Sequence, residues 1–284
     1  SYWLWGIQRK QLLAIHWITR FIGKKAYNVL WDSLLRLKFH QYKNRISAAW
    51  VWRRLKRVGV SRKDLFTEIL GYLEGGVHHL LTELHNRIVG FGGRIYLNAE
   101  VKKINIINNN LLGLSLKDKE YSFDSIVTTI PLPYIPHLAP GLPEGLKLKY
   151  KQIDNVGVVC VILKLAYQLT ENFWLNINDS NIDLPGIIEF SNINPLQEKI
   201  VYFPFYLPRN NKKLMESDQD FLNRVKFYCR KINGDFNESW ILASKVHRYE
   251  FAQPVCPPKF LQMLPPIKTD VKGLYIMDTA YHYP

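Results

Sequence analysis

Four residues with metal-binding side chains, His78, His79, Glu83 and His85, fall in one short stretch. His79 and Glu83 stand four apart, which on a helix places two donors on one face. His78 and His79 then point to different faces, and two further ligands that would complete a coordination shell are not evident, so no metal is assigned. Gly90-Phe91-Gly92-Gly93 invites phosphate-loop chemistry. A dinucleotide fingerprint, however, follows a strand and opens a helix. Here the glycines close a helical pattern and precede a β-like run, which is the position of a C-terminal cap. No strand, GxGxxG, helix unit occurs in the 284 residues. Cys160, Cys229 and Cys256 are too widely spaced for a metal motif or a disulfide framework and suit a reducing, cytoplasmic setting. No Ser-His-Asp set or carboxylate pair is visible either, so any chemistry is carried by something other than a side-chain constellation.

The elements that would position such chemistry follow from periodicity. Apolar residues at three- and four-residue steps predict helices over 2–22, 26–37 and 46–58, with Gly23 interrupting between the first two. Ser61-Arg-Lys-Asp64 has the spacing of a capping box. A further helix runs from Val77 to Val89, followed by a short strand over Arg94 to Leu97, a segment Val101 to Ile104, a polar turn and an apolar strand ending Thr128-Thr129-Ile130-Pro131. The prolines from Pro131 to Pro143 mark a domain crossing. Beyond it, Asn155 to Leu165 is a continuous β-branched run suited to a strand covered on both faces. Strands over 187–190 and 200–206, a helix over 217–232 with Asp218 and Asp220 in its first turn, and an alternating strand over 240–251 complete a mixed sheet with a helix.

Net charge is +14, and residues 1–66 hold 15 Lys or Arg against two Asp, with six of the eight tryptophans. A basic, aromatic, helical segment suits peripheral contact with an anionic membrane or an anionic substrate, and a non-catalytic basic docking module is one function it allows. Nucleic acid is the less favoured partner. The same composition describes a solvated basic face over an aromatic core. No run approaches the ~20 apolar residues of a spanning helix.

The ordered set of motifs resembles a known family. Gly71-Tyr72-Leu73-Glu74-Gly75-Gly76, a helix, Gly92-Gly93 leading into Val101-x-x-Ile104, and Phe123-Asp124-x-Ile126-Val127-x-Thr129-x-Pro131 are similar to the middle of FAD-dependent oxidoreductases of the amine oxidase and protoporphyrinogen oxidase type. Trp31 to Phe39 followed by Ile46 to Trp50 resembles a helical segment of their substrate domain, with His40 where the family pattern has Gly and Lys38 read as a surface or helix-terminal lysine. Phe173 to Ile177, Ile188 to Asn192, and Gly273 to Ala280 extend the likeness. Phe190 stands where the family has His, which removes one acid or base.

The resemblance implies FAD as cofactor, with Gly75, Gly76, Val101, Thr129, Pro131 and Asp278 beside it, and Glu189 and Asn192 lining a cavity for a small-molecule substrate. It implies hydride transfer to flavin N5, or, in a mutase of the UDP-galactopyranose type on the same fold, isomerisation. The expected architecture is α/β (mixed α+β): an incomplete FAD-binding Rossmann-like domain at 71–135 and 273–284, and a substrate domain of helices at 1–70 and a mixed β-sheet at 136–272. The family's opening GxGxxG unit and closing FAD segment are absent, so these residues read as an internal portion, cytoplasmic or membrane-associated, inactive by itself and unable to hold FAD stably.

Overall fold

The computed structural model describes residues 11–64, 67–117, 119–195 and 198–282. In chain order the first elements are α1 (Ala14–Leu30), α2 (Asp32–Phe39), α3 (Ala48–Val60), α4 (Gly76–Gly90), β1 (Lys103–Ile107), β2 (Asn110–Ser115), β3 (Glu120–Ser122) and β4 (Ile126–Thr128). They are followed by α5 (Glu144–Lys151), β5 (Asn155–Leu165), β6 (Trp174–Asn176), β7 (Gly186–Glu189), β8 (Lys199–Pro208), α6 (Asp218–Ile232), β9 (Ile241–Pro254) and β10 (Leu274–Ile276). The chain divides into two compact units, one formed by residues 11–60 and 154–262, the other by Ser61–Ile153 and Met263–His282. These units divide at 60/61, 153/154 and 262/263, the helical turns after the prolines and α5 staying with the strands that precede them.

The first unit is built on β5. It pairs antiparallel with β8 on one side and β9 on the other, in a five-stranded sheet of order β6-β7-β8-β5-β9. Every pairing in that sheet is antiparallel, which corrects the expected mixed sheet. Burial along β5 alternates from Gly157 onward, so one face is fully covered and the other only half so, rather than both being closed. The closed face carries Val159, Val161 and Leu163, joined by Val201, Phe203 and Phe205 of β8, against Phe221, Val225 and Cys229 of α6. Phe205 and Phe221 meet edge to face at 5.0 Å between ring centroids. Helix α6 begins at a capping box: the Asp220 N–H donates to Ser217 Oγ and the Ser217 N–H to the Asp220 carboxylate.

Three helices complete this unit. Gly23 (φ 79°, ψ 161°) breaks α1 where the sequence placed an interruption. The start of the helix expected from Tyr2 lies outside the described residues. The second helix starts at Asp32 rather than carrying through from Ala26, since Trp31 leaves the helical region. Among the described residues no helix follows Ser61: its hydroxyl donates to Glu68, and the Asp64 carboxylate accepts from the Thr67 N–H.

In the second unit, β1, β2 and β3 form an antiparallel sheet whose first hairpin turns on Asn108 and Asn109, both at positive φ. Helix α4 ends in a Schellman cap: the Gly93 N–H donates to Ile88 O and the Gly92 N–H to Val89 O, with Gly92 at φ 80°. The glycines thus close a helix, as their position in the sequence required. The strand expected over 94–97 is absent; Ile95, Tyr96 and Leu97 are exposed, because no neighbouring strand among the described residues offers them a ladder.

Strands β4 and β10 form a parallel pair, Ile126 to Thr128 beside Leu274 to Ile276. The approach to this pair passes Gly273 (φ 88°), where a β-carbon would lie 2.5 Å from the Asp124 carbonyl oxygen. Gly273→Ala is therefore expected to destabilise the protein by at least about 1–3 kcal/mol. Urea denaturation measures the loss, and hydrogen exchange should show it first in the amides of β4 and β10.

Candidate functional site

The carboxyl ends of β4 and β10 lie side by side, and the chain leaves them through Thr129 to Pro131 and through Asp278. Asp278 ties the two exits together. Its Oδ2 accepts from the Leu132 N–H at 2.9 Å and its Oδ1 from the Ala280 N–H at 2.7 Å. Burial nevertheless pushes its carboxyl above the ordinary carboxylate range, the two N–H donors and His282 opposing that shift. Thr128 is buried and its carbonyl accepts from Met277 N–H, while Thr129 is exposed and Pro131 half-buried. The structure thus brings Thr129, Pro131 and Asp278 to one corner, at the strand ends where open parallel sheets place ligands. Gly75 (φ 75°) and Gly76 (φ 69°) open α4, which has no side-chain cap and no acidic residue in its first turn. Val101 is half-buried just before β1.

Glu189 and Asn192 lie in the other unit. Glu189 is fully buried, and its carboxylate accepts from the backbone N–H groups of Leu169 (2.9 Å) and Thr170 (2.7 Å). Asn192 donates to the carbonyls of Thr170 and Asn172 and accepts from Gln168. Both side chains thus clamp the segment between β5 and β6 to the end of β7. Glu189→Ala would leave two backbone donors without an acceptor, costing about 2–5 kcal/mol; the shift of the urea midpoint checks this, with Glu189→Gln losing less.

A second cluster, absent from the sequence reading, forms where α2 crosses β8. Lys38 is 5% exposed rather than a surface residue. Its Nζ stands 4.2 Å from the centroid of the Tyr206 ring and 5.7 Å from that of Trp50. Burial lowers its ammonium to about 7, and Arg54 and Arg57 add to the effect. The signal was present in the sequence: Lys38 sits three residues after Leu35, which is fully buried, and between the buried Leu37 and Phe39. His40 follows at φ 50°, ψ −121°, a conformation that glycine adopts far more readily. It is held there by its Nε2, 2.6 Å from the Tyr206 carbonyl oxygen. Burial is the largest effect lowering the His40 pKa, so the neutral ring donates through Nε2–H and keeps Nδ1 as an acceptor.

Because the Lys38 amine is harder to protonate folded than unfolded, the unfolded chain binds more protons between pH 7 and its ordinary value of 10.5. The residue's contribution to stability is present above 10.5 and is lost as pH falls toward 7. Lys38→Met is expected to flatten this rise, which urea denaturation at a series of pH values from 7 to 10.5 would show.

The remaining sequence candidates are plainer. His78, His79, Glu83 and His85 are exposed on α4, and among the described residues no group of three or more His, Cys, Asp or Glu could hold a metal ion. The three cysteines are free thiols, each pushed upward by burial and so less reactive. Among the described residues no helix is long and apolar enough to cross a membrane.

Comparison with known proteins assigns the class. The family model for flavin containing amine oxidoreductases matches residues 15–282, and the chain belongs to that family. No curated protein matches it in sequence. Among solved structures, it is similar to an oxidoreductase from Methanosarcina mazei (16% identity, TM-score 0.69), covering 95% of this chain and 63% of that one. A putative protoporphyrinogen oxidase from Exiguobacterium sp. 255-15 matches at 16% identity and TM-score 0.70, over 95% and 62% of the two chains. Cyclohexylamine oxidase from Brevibacterium oxydans IH-35A matches at 11% identity and TM-score 0.60, over 97% and 63%. At such identities the likeness is one of fold. The chain spans less than two thirds of the length of these structures.

Proposed function

We propose that this chain forms part of an FAD-dependent oxidoreductase that takes a hydride from a small organic substrate. The observation that carries the reading is the corner at the carboxyl ends of β4 and β10, where Asp278 accepts from the Leu132 N–H of one exit and the Ala280 N–H of the other. Gly75 and Gly76 at the uncapped start of α4, Val101, Thr129, Pro131 and Asp278 are the residues that would hold the cofactor. The fit is to one side of a dinucleotide only, since no glycine-rich strand-to-helix turn is present to cradle the pyrophosphate. When bound, FAD supplies the hydride acceptor at N5. The chain's own contribution is to orient: Asp278 ties Leu132 and Ala280 together, and the exposed Thr129 beside them is left open to a ligand.

The apolar surface of α4 supports a larger assembly. None of its residues is buried, and Val77, Leu80, Leu81, Leu84 and Ile88 are each at least 44% exposed. A contiguous apolar helix face of this kind marks a contact surface. We read it as the seat of the strand and helix that bring the missing phosphate cradle, in the whole protein from which the flavin reading draws its activity.

The test is a visible absorption spectrum of the protein purified with its natural flanking sequence. The expected result is a flavin band that survives gel filtration and weakens in Asp278→Ala, with no band from the 284 residues alone. A colourless, folded protein that also refuses added FAD would overturn the reading.

A further inference from the structure

Helices α1 and α3 start together and run side by side. The Ala14 N–H donates to Ile46 O and the Ala48 N–H to Leu12 O, which ties their first turns. Further along, the Trp17 and Trp52 rings meet edge to face at 6.3 Å between centroids. Past that contact both helices leave the core. Arg20 to Lys25 of α1 and Arg53 to Val60 of α3 include no buried residue, and of these only Arg54 is half-buried. Arg20 and Leu55 each stand about one turn past their tryptophan, so the two exposed stretches begin next to each other. Gly23 and Gly59 stand in open space, with nothing within 4 Å of where a β-carbon would lie.

Two kinds of side chain alternate on this surface. Arg20, Lys24, Lys25, Arg53, Lys56 and Arg57 are exposed, and among the described residues none has a carboxylate within ion-pair distance. Asp32 is the only acid in residues 11–60, and Lys43 engages it. Between the cations stand Ile22, Leu55 and Val60, which are 44%, 40% and 76% exposed. A further protein layer over this surface would desolvate six cations that bring no counter-charge of their own, which is costly. Helix α4 differs in kind: its exposed apolar face carries Arg87 as its one Lys or Arg. A nucleic-acid backbone would use the cations and leave the aliphatic side chains in water. An anionic lipid surface uses both, since its headgroups attract the cations while the aliphatic side chains enter the boundary beneath them.

We propose that the surface formed by Arg20 to Lys25 and Arg53 to Val60 docks the protein on an anionic lipid membrane. The contact is peripheral. The cations lie at headgroup level, and Ile22, Leu55 and Val60 reach just below it. Single-sign charge draws the protein to the membrane, and the aliphatic side chains then lengthen its stay. The surface lies wholly within the first unit and does not depend on flavin.

Cosedimentation with phosphatidylcholine vesicles, with and without about a third phosphatidylserine, tests this on the protein purified with its natural flanking sequence. The expected result is binding to the phosphatidylserine vesicles that weakens as salt rises, and little binding to phosphatidylcholine alone. Lys56→Gln with Arg57→Gln, at exposed positions, should weaken binding by about fivefold for each cation removed. Ile22→Ser with Val60→Ser should also weaken it and leave the remainder more easily released by salt. Lys149→Gln with Lys151→Gln removes the same charge from exposed positions on α5 and should bind as the unaltered protein does. Equal binding to the two kinds of vesicle would overturn the proposal. So would a Lys56→Gln, Arg57→Gln protein that binds undiminished, or a loss as large in the α5 variant. Tight binding of duplex DNA at a salt concentration where the anionic vesicles stay unbound would assign the surface to nucleic acid instead. None of these readouts uses the flavin band, so the membrane and flavin readings fail separately.

Discussion

The pairing of β5 with a strand on each side is the constraint on which the first unit rests. A strand with both edges occupied has most of its backbone donors and acceptors in ladders, here interrupted on the β9 side between Val156 and Val158 and between Lys164 and Leu165, and its alternation then decides which side chains go under α6. The register with β8 sends Val201, Phe203, Phe205 and Leu207 to the same closed face. Tyr206 consequently points the other way, to where α2 lies. The aromatic floor beneath Lys38 is thus a by-product of how β8 must align to bury its phenylalanines.

Polar groups are handled by the same accounting. Glu189 and Asn192 spend their hydrogen-bonding capacity on the backbone of the segment after β5, which has no ladder of its own. Asp278 does likewise for the corner at the end of β4 and β10. Lys38 is the departure from this pattern: a buried ionisable group met by aromatic faces and further cations in place of an acceptor.

Much of the architecture was legible in the sequence because it rests on local chemistry. The β-branched run over 155–165, the capping box at Ser217, the Gly23 break and the Gly92-Gly93 cap each follow from residues near in sequence, and the structure shows them where the sequence places them. The family was legible as well, since several short motifs in a fixed order carry more information than any one of them. Partners distant in sequence decided the rest. Arg94 to Leu97 has strand composition and forms no strand, because pairing needs a neighbour that propensity does not supply. The five-stranded sheet is antiparallel throughout because of pairings between segments tens of residues apart. Lys38 reads as an ordinary helix-end lysine until β8 brings Tyr206 beneath it from 168 residues away. Sequence by itself determined most of the helices and strands and the flavoprotein class, through periodicity, caps and motif order. Tertiary structure alone decided which charges are buried and what they face, because desolvation depends on every element that packs around a group.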